Sequence, residues 1–375
     1  MLQAIKQNLI SNIKNIPGWR TNRKIVLIEC DDWGSIRMPS KKVYDNLYRR
    51  GVKVSSGWFN MYDTLETQND LEQLFDVLYS VKDKDNKPAV MTAVTNVANP
   101  DLDKIRSDGF IKYYYEPFTA TLKRYHPNFE VFKLWNEGIT DGIFMPELHG
   151  REHLPVQIWM EKLKEGDKTL LVAFNHGFAS MDIPGISLPA SAKFMAEFYF
   201  TSEDQKPFLV NSIKEGVSLF KEVFGFRPRV FVPGNGVFHP EFDKVAAESG
   251  IKFLNVSYSS PFPIIGGKLK YRHFITGQKG PGGITYYIRN CAFEPANPGY
   301  KGVEPTIMQI AAAFRWGKPA DISTHRVNFV GSIDQANRKN GITELKKLLK
   351  TIVQKWPDVE FMNSGDALEY MLSGN

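Results

Sequence analysis

The sequence predicts an α/β protein whose parallel strands curl into a closed or nearly closed β/α barrel. Short runs rich in β-branched residues alternate with longer segments of helical period along the 375 residues, and this alternation is typical of parallel strands joined by crossover helices. Seven or eight such units are about the number that a complete barrel needs. With 42% hydrophobic and 23% charged residues, the chain has the composition of an ordinary folded protein rather than a disordered one.

The predicted strands are short apolar runs bounded by turn-forming residues. They are Lys24–Cys30, Ala89–Thr95, Gly142–Pro146, Thr169–Phe174, Arg229–Pro233, Lys252–Ser257, Asp321–Thr324 and Val359–Met362. The predicted helices repeat apolar residues at the helical period. They are Gln68–Val81, Pro155–Lys164, Asp204–Phe224, Pro240–Glu248, Thr306–Phe314, Ile333–Lys355 and Gly365–Leu372.

We expect a single barrel domain over residues 1–375, with an N-terminal helix and three loop elaborations. The helix covers residues 1–18, and the elaborations lie near residues 38–81, 113–136 and 261–300. The third is rich in Gly and Pro, which indicates long loops with a short strand at Ile284–Arg289. Long loops of this kind are often binding walls or lids.

The N-terminal helix is too short and too polar to span a bilayer or to be a signal-peptide core, because lysines interrupt its apolar stripe. We expect that stripe to pack against its own domain rather than on a membrane surface. The protein is therefore predicted to be cytoplasmic and to have no transmembrane segment. Cys30 and Cys291 are too few for a disulfide framework, so we expect two buried thiols.

The mildly basic character of the chain does not indicate a nucleic-acid partner. The formal net charge is +6, but Lys and Arg are scattered, and no run of five basic residues occurs. A nucleic-acid site would need clustered charge within a recognisable module.

Polar and ionisable residues follow the predicted strands at the points where those strands end. Because active sites of parallel β/α proteins lie at the carboxyl ends of the strands, we expect these side chains to meet there. They are Asp31, Asp32, His149, His153, His176, Asn235 and His325.

His149 and His153 stand four positions apart, which would put both imidazoles on one side of a helical turn. Asp31 or Asp32 can supply a carboxylate and complete a set of two histidines and one carboxylate. One aspartate would bind the metal while its neighbour stays free as a base. Zinc is the default cation for such a set, and nickel, cobalt, manganese or iron would also fit.

His325 is the candidate general acid, because an imidazole near its ordinary pKa can donate a proton at neutral pH. His176 is a weaker candidate and can equally be structural. Trp33 and Arg37 either line a sugar site or pack the loop that follows the aspartates.

At this point the residues resemble the polysaccharide deacetylase family, carbohydrate esterase family four. The resemblance is carried, in the family's order, by Cys30–Gly34, His149–His153, the Pro-Gly loop Phe231–Gly236 and Ser323–His325. The ending Val359–Asp366 is similar to the last strand and helix of such domains.

The resemblance implies a distorted β/α barrel that removes an N- or O-linked acetyl group from a carbohydrate. It implies that Asp31 is the general base and His325 the general acid. It also implies that Asp32 binds the metal together with His149 and His153.

The chain departs from the family in the Pro-Gly loop, where Val232 stands at the position of an Arg that orients the catalytic aspartate. No aspartate motif that would hold such an Arg is found near residues 252–260. We expect another guanidinium to reach Asp31. The candidates near strand-end loops are Arg37, Arg151, Arg289 and Arg326, of which Arg151 and Arg326 lie nearest in sequence to the proposed chemistry.

Five side chains close to these motifs are expected to contact an acetylated carbohydrate or glycan. They are Trp33, Arg37, Arg151, Asn235 and Arg326.

Two other functions remain open from the sequence. A glycoside hydrolase would need two carboxylates flanking the scissile bond, for which Asp31 with Glu147 or Glu294 can be considered. A non-catalytic sugar-binding descendant would explain the absent Arg. Metal dependence of the activity would separate the first of these from a deacetylase.

Overall fold

A parallel sheet of nine strands forms the centre of the computed structural model, which describes residues 9–179 and 195–374. Its hydrogen-bonded order is β10-β7-β6-β5-β2-β1-β12-β11, with β13 paired to β1. The remaining strands form two antiparallel hairpins, β3–β4 and β8–β9. The strands are β1 (Lys24–Trp33), β2 (Met91–Asn96), β3 (Ala98–Pro100), β4 (Tyr115–Pro117), β5 (Phe144–Gly150), β6 (Val230–Phe231), β7 (Phe253–Asn255), β8 (Ser259–Pro263), β9 (Leu269–His273), β10 (Thr285–Tyr287), β11 (Cys291–Ala292), β12 (Ala320–His325) and β13 (Val359–Phe361).

The sheet curls into a distorted, incompletely closed barrel, which confirms the predicted fold class. Its two edge strands, β10 and β11, are consecutive in the chain, and only residues 288–290 separate them. We call this place the seam of the barrel. The carboxyl ends of the central strands share one rim.

The seven predicted helices from Gln68 onward are present, with ends that differ by two residues or fewer from the predicted ones. The α-helices are α1 (Lys41–Arg49), α2 (Trp58–Tyr62), α3 (Gln68–Tyr79), α4 (Leu102–Ser107), α5 (Phe118–Tyr125), α6 (Val131–Thr140), α7 (Val156–Lys164), α8 (Lys168–Asn175), α9 (Lys206–Phe224), α10 (Glu241–Glu248), α11 (Glu304–Arg315), α12 (Gln335–Lys355) and α13 (Ser364–Leu372).

Strand β1 shows how the sheet separates an outer apolar layer from a polar interior. Val26, Ile28 and Cys30 pack in the core shared with α3, α11 and α12. The alternate residues Glu29 and Asp31 therefore face the barrel interior, as the two-residue period of a strand requires. Cys30 packs in the core as predicted, and both cysteines are free and buried.

The lower part of the barrel interior is filled by side chains of the sheet and of the last helix. Val94, Val230, Phe253 and Tyr287 cluster there with Leu368 and Met371 of α13. This plug leaves the opposite rim, where the strands end, available for polar residues.

The predicted strand Thr169–Phe174 is wrong, because these residues belong to helix α8. Asp167 caps that helix by accepting a hydrogen bond from the backbone N–H of Leu170 at 2.8 Å. A short apolar run cannot be assigned to strand or helix by periodicity alone. His176 therefore follows a helix and not a strand.

The N-terminal segment differs from its prediction in the part that the structure describes. Residues 9–14 are helical, but Leu9, Ile10, Ile13 and Ile16 are 59%, 40%, 55% and 43% exposed. The apolar side chains expected to pack on the domain therefore face outward, and residues 1–8 lie outside the described residues. Within the described ranges, none of the helices combines the length and apolarity that a membrane crossing needs.

The predicted loop elaborations contain more regular structure than the sequence indicated. Besides the predicted α3, the first holds α1 and α2, and the second holds β4, α5 and the start of α6. The third contains the β8–β9 hairpin and both seam strands, of which β10 agrees with the short strand predicted at Ile284–Arg289, whereas β11 was interpreted as loop.

Gly341 in α12 packs against the chain just after β12, and its substitution tests this contact. A Cβ at Gly341 would lie 1.7 Å from the backbone oxygen of Asn328. Gly→Ala inside a helix normally stabilises by about 0.5–1 kcal/mol. Here Gly341→Ala should instead lower the free energy of unfolding by about 1–3 kcal/mol, because the helix must shift. Urea unfolding of Gly341→Ala and of the exposed control Lys346→Ala measures this loss of stability. A Gly341→Ala protein more stable than wild type would contradict the expectation.

Candidate active site

Asp32, His149 and His153 meet at the carboxyl rim of the barrel, and all three are buried. One possible ligand atom from each lies within 4.8 Å of the other two. The Nε2 atoms of His149 and His153 are 3.4 and 3.3 Å from the same carboxylate oxygen of Asp32. The cluster predicted from the sequence is therefore assembled.

A local irregularity in β1 brings two neighbouring aspartates to the same rim. The register between β1 and β2 shifts between Cys30 and Trp33, and Asp32 has a φ of +73°. Successive residues of a regular strand point to opposite faces, and a bulge re-aims them. A positive φ at a residue other than Gly is strained, which is typical of functional sites.

His149 is oriented by a backbone carbonyl. It ends strand β5, and its Nδ1 lies 2.6 Å from the oxygen of Val232. An Nδ1–H that donates to this oxygen leaves the lone pair of Nε2 facing Asp32. That Nε2 is buried and has no hydrogen-bond partner among the described residues.

His153 reaches the cluster by a different route from the predicted one. His149 lies in a strand, and the chain turns at Gly150, whose φ is +136°. The two imidazoles therefore do not share a helical turn, and that expectation was wrong. Their ring centroids are nevertheless 4.8 Å apart.

The charges of the cluster suit a divalent cation. Burial raises the pKa of Asp32, but the neighbouring imidazoles of His149 and His153 outweigh this and hold the pKa well below its usual range. Burial lowers the pKa of His153 despite the nearby Asp32, which favours the neutral imidazole that metals bind. Two imidazole nitrogens and one carboxylate leave further coordination positions open.

Asp31 faces a guanidinium and not the histidine pair. Arg289 donates from Nη1 to Oδ2 at 2.6 Å and from Nη2 to Oδ1 at 2.7 Å. Burial raises the pKa of Asp31, but the Arg289 charge lowers it below the usual range. A guanidinium therefore reaches Asp31 as expected, and it belongs to Arg289 rather than to Arg151 or Arg326.

Arg289 is itself held inside the barrel by Glu29, two positions before Asp31. Its Nε donates to a carboxylate oxygen of Glu29. The hydroxyl of Tyr287 donates to the same carboxylate at 2.9 and 3.1 Å. Glu29 thus holds the guanidinium that reaches Asp31, a contact that was expected from an aspartate near residues 252–260.

His325 stands beside Asp31 and is held by a carboxylate on its other side. Its Nε2 lies 3.9 Å from Oδ2 of Asp31, and its Nδ1 lies 2.6 Å from Oε1 of Glu294. Asn328 donates to the second oxygen of Glu294 at 2.7 Å. Burial alone would lower the pKa of His325, but Glu294 raises it to about 9, so the imidazole is protonated at neutral pH.

Two aromatic rings, which were not predicted from the sequence as part of the site, lie next to His325. Phe59 meets the imidazole edge-on at a centroid distance of 5.0 Å, and Trp58 lies 4.0 Å from Phe59. The guanidinium of Arg37 covers the Phe59 ring at 4.7 Å. Trp58 and Phe59 are adjacent in the predicted elaboration near residues 38–81, and this pair of aromatic residues was the sequence signal that could have revealed them.

Arg37 and Arg326 belong to one buried ionic network behind the site. Arg37 lies 3.4 Å from both Asp32 and Asp63. Arg326 donates two 3.1 Å hydrogen bonds to Asp63 and one of 3.2 Å to Glu66. Because Arg326 is 0% exposed, its prediction as a substrate contact was wrong. Arg37 borders the site, and its contact with substrate stays a prediction.

Trp33 was also wrongly predicted to contact substrate. Its side chain is 0% exposed and meets Trp135 and Phe144 edge-on at 6.0 and 4.8 Å. The same register shift that turns the aspartates toward the rim turns this indole into the apolar core. No face of its ring is free for a sugar.

Arg151 lies between the metal-cluster histidines in sequence but points away from them. It is 3% exposed, donates to both oxygens of Glu152 at 2.6 and 2.7 Å, and pairs with Glu215. Its prediction as a substrate contact was therefore wrong. Three aromatic rings surround its guanidinium: Tyr113, Tyr115 and Phe208.

The remaining candidates occupy different environments. Asn235 is exposed with a φ of +55°, and its contact with substrate stays a prediction. His176 places Nδ1 2.8 Å from the oxygen of Val172 at the end of α8, as a structural histidine would. Glu147 accepts the backbone N–H groups of Arg229 and Val230 at 2.8 and 2.9 Å, and burial raises its pKa to about 8.

No family model matches the chain, and no curated protein matches it. Among solved structures, a protein from Mycobacterium smegmatis described as a polysaccharide deacetylase has a TM-score of 0.42 and 10% identity, with 96% of this chain and 93% of that one covered. An allantoinase has a TM-score of 0.42 and 11% identity over 93% of this chain and 90% of its own.

A 4-alpha-glucanotransferase from Thermococcus litoralis has a TM-score of 0.45 and 11% identity, and 92% of this chain is covered. The chain spans only 40% of the length of that enzyme. With identities near 10% and TM-scores below 0.5, these are distant likenesses, and the activity must be inferred from the site itself.

The buried position of Arg326 predicts a stability defect and not a binding defect. Arg326→Met would leave Asp63 and Glu66 without their main cationic partner, and breaking a buried ion pair costs about 3–5 kcal/mol. Urea unfolding should show a loss of this size. Exposed Arg50→Met, the matched control, should change stability by no more than about 0.5 kcal/mol. An Arg326→Met protein of unchanged stability would show that this network does not support the fold.

The Glu294 contact predicts how His325 titrates. Glu294→Gln removes the charge that most strongly raises the His325 pKa, so the pKa should fall from about 9 toward the ordinary range. Because the folded pKa is the raised one, the stabilising contribution is present at neutral pH and is lost as pH rises through about 9. Titration of the His325 ring protons by NMR checks this, with Glu304→Gln as the control. An unchanged His325 pKa in Glu294→Gln would contradict the assignment.

Proposed function

We propose that the protein is a metal-dependent hydrolase that removes an N- or O-linked acetyl group from a carbohydrate. The observation that carries the proposal is the division between two adjacent aspartates. Asp32 faces two imidazoles, whereas Asp31 faces a guanidinium and His325. One carboxylate is thus suited to hold a cation, and its neighbour is suited to move a proton.

Asp32, His149 and His153 would hold the metal, with zinc as the default. A divalent metal bound there would lower the pKa of a bound water molecule and would polarise the acyl carbonyl. The proposal assigns every proton transfer to the chain's own residues.

Asp31 accepts the proton of the attacking water as the oxygen of that water forms a bond to the acyl carbon. Arg289 donates hydrogen bonds to both carboxylate oxygens of Asp31, which fixes the orientation of this carboxylate. The low pKa of Asp31 keeps it ionised before this step.

His325 donates its Nε2 proton to the departing nitrogen or oxygen as the bond between that atom and the acyl carbon breaks. The products are acetate and a free amine or alcohol. Asp31 and His325 are 3.9 Å apart, so base and acid reach the same small reacting group. Glu294 supports the protonated imidazole that this step requires.

The carbohydrate class is supported by the order of the motifs and by the half-buried rings of Trp58 and Phe59 beside His325. The leaving group must lie at His325, so a sugar ring that departs from the acyl carbon would lie next to these aromatic faces. Aromatic faces suit the apolar faces of sugar rings.

The two other functions considered from the sequence lose support. Glu147 is buried against the backbone of β6, and Glu294 is hydrogen-bonded to His325, so neither is a free partner carboxylate for glycoside hydrolysis. The absent Arg motivated a non-catalytic interpretation, and the contact of Arg289 with Asp31 weakens that motive.

Acetate release from N- and O-acetylated oligosaccharides tests the proposal. Asp31→Asn and His325→Ala should each lower the rate by about 10²–10⁴-fold while the fold is kept, because general acid–base contributions have that size. Chelation should abolish the activity, and a divalent metal should restore it. Lys346→Ala, a substitution at an exposed position, is the control for differences between protein preparations and should keep the wild-type rate.

Near-full turnover in Asp31→Asn or His325→Ala would remove that residue from the proposed chemistry. Acetate release that survives complete chelation would contradict a metal-dependent reaction. Glycosidic cleavage without acetate release would indicate the glycoside hydrolase instead.

A further inference from the structure

A cavity of about 40 Å³ lies at the seam of the barrel, at the opposite end of β12 from His325. A water molecule needs about 10–15 Å³ measured in this way, so a small head group fits. The walls are mainly apolar and aromatic. They include Trp19, Leu27, Tyr258, Tyr287, Met371 and one carboxylate, that of Asp321.

Asp321 is the unexplained polar group of this cavity. It is 4% exposed, and its Oδ1 has no hydrogen-bond partner in the part of the chain that the structure describes. A buried acceptor without a partner destabilises the folded chain, so this oxygen calls for a donor. Asp321 lies four positions before His325 in β12, too far down the strand for the chemistry proposed at the rim.

The charges around Asp321 favour a cationic donor. Three buried carboxyl groups, Glu29, Asp31 and Asp321, line this part of the interior, and Arg289 binds the first two. Over the described residues, no cation of the chain lies within 4.0 Å of Asp321. Lys14 and Lys318 also border the cavity, and the Lys318 ammonium donates to the backbone oxygens of Gly18 and Trp19 at 2.6 and 2.5 Å rather than to Asp321.

We propose that this cavity binds the ammonium head group of a small organic amine, with Asp321 as its counter-ion. The aromatic walls support this, because ammonium ions are attracted to the faces of Trp and Tyr rings. Hard metal ions are a poor match, since they need six or more oxygen ligands. Burial raises the pKa of Asp321 well above its usual range, and an ammonium ion beside it would favour the ionised carboxylate.

The site is separate from the catalytic proposal. Its residues come from the N-terminal segment, β1, the chain on either side of the β8–β9 hairpin, the seam, β12 and α13, and none of them is Asp32, His149 or His153. Binding at the cavity can therefore be measured without any assay of activity, and either proposal can fail alone.

Calorimetric titration of the full chain with ethylammonium chloride tests the inference. Ethanol tests whether mere filling of the cavity is enough, and sodium chloride at the same ionic strength tests for a general salt effect. Ethylammonium should bind saturably, whereas ethanol and sodium chloride should not. Asp321→Asn, which keeps the shape and removes the charge, should weaken binding at least tenfold.

A second variant covers the case in which Asp321→Asn does not fold. Tyr258 is half-buried at the cavity wall, so Tyr258→Leu keeps apolar volume and removes an aromatic face. It should weaken ethylammonium binding severalfold. Tyr271→Leu is the matched control, since Tyr271 is 58% exposed on the β8–β9 hairpin and does not line the cavity.

Three results would overturn the proposal. They are the absence of saturable ethylammonium binding, equal binding of ethanol, and undiminished binding by a folded Asp321→Asn protein. Equal affinities of Tyr258→Leu and wild type would likewise remove the aromatic wall from the site.

Discussion

The contact of Arg289 with both Asp31 and Glu29 is the interaction on which the rest of the candidate site depends. Two carboxylates at neighbouring positions of one strand repel each other unless their charges are compensated separately. Arg289 compensates Asp31, and the imidazoles face Asp32. This separation gives adjacent residues of the same type two different electrostatic environments and therefore two different chemical capacities.

The same contact couples the site to the closure of the barrel. Arg289 lies between the two seam strands and reaches β1 across 258 positions of sequence. Only a sheet that curls until its edges approach brings these residues together. Tyr287 strengthens the connection, because its ring packs in the barrel interior while its hydroxyl binds Glu29.

The sequence predicted the barrel and the rim residues because strand ends carry a periodic signal. The prediction failed where a single backbone irregularity decides which way a side chain points. The register shift at Asp32 sends Trp33 into the core, and the turn at Gly150 replaces an expected helical pairing. Sequence proximity was a poor guide to the guanidinium, since the curled sheet brings a distant one to Asp31. Glu29 could have been found, because a lone charge inside the apolar run Ile25–Cys30 requires a partner.

We propose that Arg289 sets the proton-transfer role of Asp31 without taking part in metal binding. The most direct measurement is metal content together with the rate of acetate release for Arg289→Met beside wild type. The account predicts about one equivalent of divalent metal in both proteins and a rate lowered by roughly 10²–10⁴-fold in the variant, the size of a general-base contribution. A variant that keeps its metal and turns over at the wild-type rate would contradict the account.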